Sequence, residues 1–163
     1  MILVHYSLII ILSVSEEKAI LVVRTDENED TYTQMTNYRQ HKILIVDDDE
    51  ATRLTLQDVL LHDGYFALCA GDGSLATHIV RKSNLDLVFL DFDMPDMHGI
   101  DVLKAIKEIN RNLPVVMLSG TCREDIFEWA MENGAYSLIS KPVELQLFRT
   151  TARNALIRFH HDI

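Results

Sequence analysis

The stretch Leu87-Val88-Phe89-Leu90-Asp91-Phe92-Asp93-Met94-Pro95 decides the fold. Four bulky apolar residues in a row suit a strand buried on both faces of a parallel sheet. The run stops on Asp91 and passes into a turn at Pro95. Open α/β sheets bind ligands outside the carboxyl ends of their strands, so Asp91 stands where chemistry is expected.

Working outward, similar apolar runs occur at Ile43–Val46, Tyr65–Ala70, Leu85–Leu90, Pro114–Leu118 and Ala135–Ser140. Between them lie helix-length amphipathic segments near Ala51–His62, Leu75–Lys82, Ile100–Ile109 and Arg123–Asn133. A last helix runs from Val143 to about Arg158 (Leu145, Phe148, Ala152, Leu156 and Phe159 recur on one face). Gly64, Gly99 and Gly134 fall at junctions where a positive φ or a close approach costs little. Pro142 sits between a strand and a helix, where its missing N–H is tolerated. Five β-α units with short connections imply an α/β fold, a parallel sheet with helices on both faces.

The chain has 163 residues, enough for one domain with a full core. Its formal net charge of −10 argues against nonspecific binding to nucleic acid, and equally against an electrostatic membrane anchor. Cys69 and Cys122 lie far apart with no metal-ligand spacing, a pattern that fits a reducing cytoplasm.

Residues Met1 to Val14 are largely apolar, but too short for a membrane-spanning helix, and no Lys or Arg precedes Lys18 as a secretory signal would require. Two readings stay open. Leu8 to Val14 and Ala19 to Val23, split by Ser15-Glu16-Glu17-Lys18, suit a hairpin. Alternatively the segment is not native, and Met35 is the natural start just before the first good strand. Thr25 to Gln34 are polar and acidic without periodicity, so they read as a linker.

The strand ends collect a distinctive set: Asp47-Asp48-Asp49, Asp91, Ser119-Gly120-Thr121 and Ser140-Lys141-Pro142. Crowding Asp47, Asp48 and Asp91 into one crevice is costly without a cation, and hard oxygen ligands point to Mg²⁺. Lys141 adds a point charge suited to phosphate, and Ser119 adds a hydroxyl. A nucleophilic carboxylate, a metal, a lysine and a hydroxyl together describe phosphoryl transfer to aspartate. Asp49 and Glu50 read as a helix cap and first-turn acid, and Asp96 and His98 as loop residues. No histidine, the His160-His161 pair included, sits where a phosphohistidine would be expected, so the donor is external.

Ile43-Leu44-Ile45-Val46-Asp47-Asp48-Asp49, Asp91-x-x-Met94-Pro95-x-x-x-Gly99, Leu118-Ser119-Gly120 and Gly134-Ala135…Lys141-Pro142 resemble the receiver domain of two-component response regulators, over roughly residues 41–163. Residues 1–40 then form an extension and linker. The resemblance implies a doubly wound, flavodoxin-like (βα)5 fold with strand order 2-1-3-4-5. It implies that Asp91 is the phosphoacceptor, charged by a sensor histidine kinase or histidine phosphotransfer protein. Asp48 and Asp91 would bind Mg²⁺ with the backbone carbonyl of Asp93, Asp47 would act through a metal-bound water, and Ser119 and Lys141 would hold phosphate oxygens. A cis peptide before Pro142 and a phosphorylation-dependent homodimer are further implications. Such a domain assists its own phosphorylation and dephosphorylation without being an enzyme in the ordinary sense.

Two positions depart from the family pattern. An aromatic switch residue is usual three residues before the lysine, where this chain has Leu138; Tyr136 is expected on the same strand side by alternation. Asp93 is an extra carboxylate two residues after the acceptor, and with Thr121 it occupies positions that tune dephosphorylation in the family. Trp129 is expected to point away from a helix face formed by Phe127, Ala130, Met131 and Gly134, toward a partner surface or into packing against a neighbouring helix or the N-terminal extension.

The chain stops just after the fifth helix, which fits a single-domain receiver and equally the N-terminal fragment of a larger regulator. Asp91-Phe92-Asp93 also resembles the nucleophile motif of haloacid-dehalogenase phosphatases. There the nucleophile strand comes early and the acidic pair late; here Asp47-Asp48 comes first, so motif order favours the receiver.

Overall fold

The computed structural model describes residues 9–15, 18–23, 33–34, 40–95, 97–121 and 124–159, the first three segments as backbone pairing only. Met35, Asp96, Cys122, Arg123 and His160-His161, each weighed above, lie outside the described residues. The chain forms two units, Met1–Gln40 and His41–Ile163. In the first, β1 (Ile9–Ser15), β2 (Lys18–Val23) and β3 (Thr33–Gln34) form an antiparallel sheet in that order. Ser15 pairs with Lys18 and Ile9 with Val23, which is the hairpin read from the sequence, with an irregularity between Ile11 and Val14.

The second unit runs β4 (Lys42–Val46), α1 (Glu50–His62), β5 (Phe66–Ala70), α2 (Gly73–Lys82), β6 (Leu87–Asp91), α3 (Gly99–Ile109), β7 (Val115–Ser119), α4 (Glu124–Glu132), β8 (Ser137–Ser140) and α5 (Leu145–Phe159). Its five strands are parallel in the order β5-β4-β6-β7-β8, the expected 2-1-3-4-5. Every residue of β6 is buried, because β4 and β7 flank it and helices cover both faces.

Alternation along the strands builds two cores. Leu44, Val46, Val88, Leu90, Val115 and Met117 face α2, α3 and α4, meeting Ala76, Val80, Val102, Ile106 and Ala130. Ile43, Ile45, Phe89, Val116 and Leu118 face α1 and α5. Phe89 packs there against Phe148 with ring centroids 4.2 Å apart.

Local chemistry sets the element ends. Asp49 caps α1 by accepting the Thr52 N–H at 2.7 Å, as expected, and Asp72 caps α2 by accepting the Leu75 N–H at 2.7 Å. Asp72→Ala is expected to cost about 1 kcal/mol of stability. A denaturation midpoint unchanged from wild type would show that the cap bond contributes nothing. Gly64 and Gly134 take φ values of 85° and 88°, which L side chains rarely adopt.

Two orientations read from the sequence are corrected. Tyr136 lies outside β8, whose first residue is Ser137, so strand alternation does not extend to it. Leu138 packs on the α2–α4 side, whereas Tyr136 packs on the α1–α5 side, edge-on to Phe159 at 5.8 Å. Tyr136 therefore does not share the face of Leu138. Trp129 packs against the α2–α4 core with the Lys104 ammonium 5.5 Å from its ring centre, while Phe127 is 48 % exposed. The buried face of α4 is turned from the one read in the sequence: Ala130, Trp129 and Met131 meet the core, and Phe127 is the aromatic that faces solvent.

Candidate functional site

A parallel sheet delivers the carboxyl ends of its strands to one edge, and here those ends carry the reactive residues. Asp47 follows β4, Asp91 ends β6, Ser119 ends β7, and Lys141 follows β8. Asp47, Asp91 and Ser119 are buried, whereas Asp48 is exposed. Carboxylate oxygens of Asp47, Asp48 and Asp91 lie within 4.8 Å of one another. The Lys141 ammonium reaches both buried acids, 2.8 Å from Asp47 Oδ2 and 2.9 Å from Asp91 Oδ2. The Lys141–Pro142 peptide is cis, as the family resemblance implied.

Burial pushes the Asp91 carboxyl above its ordinary 3.8, and the Asp47 charge adds to this; the hydrogen bonds from Lys141 and the Asp93 N–H and the Lys141 charge work against it without prevailing. For Lys141, burial alone would lower the ammonium, but the hydrogen bonds and charges of Asp47 and Asp91 outweigh it, so it rises above 10.5. The partners respond differently because Lys141 faces two carboxylates, whereas Asp91 shares one ammonium with a second acid. Three neighbouring carboxylates with one lysine on two of them leave negative charge to be compensated. Such an all-oxygen donor set fits a hard divalent cation such as Mg²⁺.

Beside this cluster two loops meet. The Asp93 N–H donates to Asp91 Oδ1 at 3.2 Å, and the Gly120 N–H donates to Asp93 Oδ2 at 3.2 Å. Ser119 closes on its own loop: its hydroxyl donates to the Thr121 carbonyl at 3.0 Å and accepts the Thr121 N–H at 3.1 Å. The structure thus brings Asp47, Asp48, Asp91 and Lys141 together and sets Ser119 at the end of β7, with Asp93 and Thr121 in the adjoining loops. Leu138 and Trp129 sit apart from it, packed on the α2–α4 core.

Sequence reasoning missed Arg53. Its guanidinium donates to the Asp47 carbonyl at 2.5 Å and lies 3.4 Å from where a Cβ on Gly71 would be. A base in the first turn of a helix opposes the helix dipole, and that anomaly, four residues after the Asp49 cap, was the available signal. Gly99 was expected at a junction. A Cβ there would lie 2.3 Å from the Asp91 carbonyl oxygen and 2.8 Å from the Phe92 Cα, so the start of α3 rests directly on the acceptor backbone.

Residues 43–153 match the response regulator receiver domain. Sporulation initiation phosphotransferase F of Bacillus subtilis (strain 168) is 36% identical over 115 residues, covering 71% of this chain and 93% of that protein. Transcriptional regulatory protein ZraR of Klebsiella oxytoca is 35% identical over 117 residues, 72% of this chain; the match spans only 26% of that longer protein. A solved CheY-like receiver domain protein from Methanospirillum hungatei JF-1 superposes with a TM-score of 0.72 at 22% identity, covering 76% of this chain and 99% of that one, which shows the shared fold. Sheet order, strand-end acids and sequence relatives agree: the chain belongs to the response regulator receiver domain family, the signalling domains of phosphorelays.

Proposed function

We propose that Asp91 accepts a phosphoryl group from a phosphohistidine on a sensor histidine kinase or phosphotransfer protein. One observation carries the reading: the buried Asp91 carboxylate ends the central strand with the Lys141 ammonium 2.9 Å away and Asp47 and Asp48 within 4.8 Å. An Asp91 oxygen attacks phosphorus, the P–N bond breaks, and the donor imidazole leaves with the bonding pair and takes up a proton. Asp48, Asp91 and the Asp93 carbonyl would hold Mg²⁺, with Asp47 reaching it through a water. When bound, the ion neutralises charge developing on the transferred oxygens. Lys141 orients the nucleophile in the resting state and holds a phosphoryl oxygen afterwards, and Ser119 offers its hydroxyl to another.

A cytoplasmic location beside the phosphoryl donor is part of this proposal, supported by the wide separation of Cys69 and Cys122 without metal-ligand spacing. The output runs through protein contacts, as the new charge on Asp91 biases two arrangements of the loop after β7, α4 and β8. With Leu138 in place of an aromatic switch, that coupling works without a rotating ring. A larger chain carrying an output domain would use the same site.

Incubation with a small acyl phosphate and Mg²⁺ tests the proposal. One acid-stable, base-labile phosphoryl group per chain is expected by intact-mass measurement, and a chelator should prevent it. Catalytic turnover of a generic phosphomonoester without stoichiometric labelling would point to a phosphatase instead.

A further inference from the structure

Three hydrogen-bond donors where β7 passes into its following loop are engaged within the protein. The Ser119 hydroxyl is spent on the Thr121 carbonyl, the Thr121 N–H on Ser119 Oγ, and the Gly120 N–H on Asp93 Oδ2. Only the last of these bonds leaves the loop, and it crosses 27 residues to the segment just past the acceptor. Asp93 is tied at its other end as well, since its N–H donates to Asp91 Oδ1. One residue therefore spans the acceptor carboxylate and the loop that follows Ser119.

We propose that Asp93 is a latch, its carboxylate holding the Gly120 N–H and so fixing Gly120 and Thr121 just past β7 while Asp91 is unphosphorylated. This rests on Asp91 being the phosphoacceptor. A phosphoryl group there brings anionic oxygens that need donors, and the Gly120 N–H is released to them only when Asp93 lets go. The same group repels the Asp93 carboxylate two residues away, so its arrival opens the latch. Asp93 thus favours the resting arrangement and opposes the loaded one, and acts as a positioning residue.

The full-length, ¹⁵N-labelled protein tests this, with beryllofluoride plus Mg²⁺ as the probe of the phosphorylated state. Asp93→Ala is expected to bind the probe about tenfold more tightly than wild type, the lower end of the scale for one charge-assisted hydrogen bond. Asp93→Asn loses the charge but keeps an acceptor oxygen, so it should fall between the two. Without Mg²⁺ or beryllofluoride, the Gly120 amide proton should move upfield in Asp93→Ala. An unmoved Gly120 resonance overturns the latch. So does Asn equal to Ala in affinity, which leaves repulsion alone, or Ala binding no tighter than wild type. The Gly120 comparison needs no ligand, so it judges the latch even if Asp91→Asn still takes up beryllofluoride, a result that would remove the acceptor reading instead.

Discussion

Asp91→Asn is expected to end labelling by an acyl phosphate outright while making the metal-free protein more stable at neutral pH. The amide has no anionic oxygen to attack phosphorus, and no other acid at the strand edge ends the central strand on the loops that carry Asp93 and Ser119. The stability gain follows from the direction of the Asp91 shift. Burial raises its carboxyl above 3.8 despite the Lys141 contact, so the ionised form is held less well by the folded chain than by the unfolded one. For an acid raised in this way, stability falls as the pH climbs through 3.8 toward the folded value, and the loss is complete above that folded value. Asparagine removes that loss. The advantage of the variant should therefore shrink as the pH is lowered toward 3.8. Lys141 behaves oppositely: its contribution is present below 10.5 and disappears as the pH rises through its elevated folded value. Intact-mass labelling and denaturation midpoints with chelator, at neutral and acid pH, check both halves. Wild-type labelling of the variant would dismiss Asp91 as acceptor, and a neutral-pH midpoint below wild type would dismiss the electrostatic account.

Gly99→Ala is expected to cost roughly 3 kcal/mol and to slow labelling about 10²-fold. The atoms in the way of a new Cβ are backbone, the Asp91 carbonyl oxygen at 2.3 Å and the Phe92 Cα at 2.8 Å, so no side-chain rotation relieves the clash. Either the start of α3 or the end of β6 has to move. The Gly99 N–H also donates to the Phe92 carbonyl at 3.1 Å, a bond that the same displacement weakens. Moving the end of β6 carries Asp91 away from the Lys141 ammonium, and misplacement on the ångström scale is what a transfer reaction tolerates least. Urea denaturation and the initial rate of acyl phosphate labelling measure the two effects. A variant that loses stability but labels at the wild-type rate would show that α3 yields and the acceptor strand does not.

The contrast between these positions shows how much was legible beforehand. Asp91 was readable because an uninterrupted apolar run has one plausible end, and its meaning came from position at that end. The acid pair after β4 and Lys141 after β8 were readable for the same reason. Gly99 carried a weaker signal: a glycine at a junction suggests either a positive φ or a close approach, and only packing distinguishes them. Trp129 and Tyr136 were misplaced because a short helix tolerates a rotated face and a strand ends where pairing ends, neither of which periodicity alone determines.

By itself the sequence determined the alternation of five strands and five helices, the single edge that gathers Asp47, Asp48, Asp91, Ser119 and Lys141, and the cap at Asp49. Those follow from local rules, the period of apolar residues and the chemistry of chain ends. The tertiary structure decided what depends on residues far apart in the chain meeting in space. It placed the Lys141 ammonium between two acids that precede it by 94 and 50 residues (141 − 47 and 141 − 91), set Arg53 against the Asp47 carbonyl, and joined Asp93 to the Gly120 N–H. Those contacts are set by how strands align side by side and how loops pack across a shared edge, and such distances have no period to be read along a single chain.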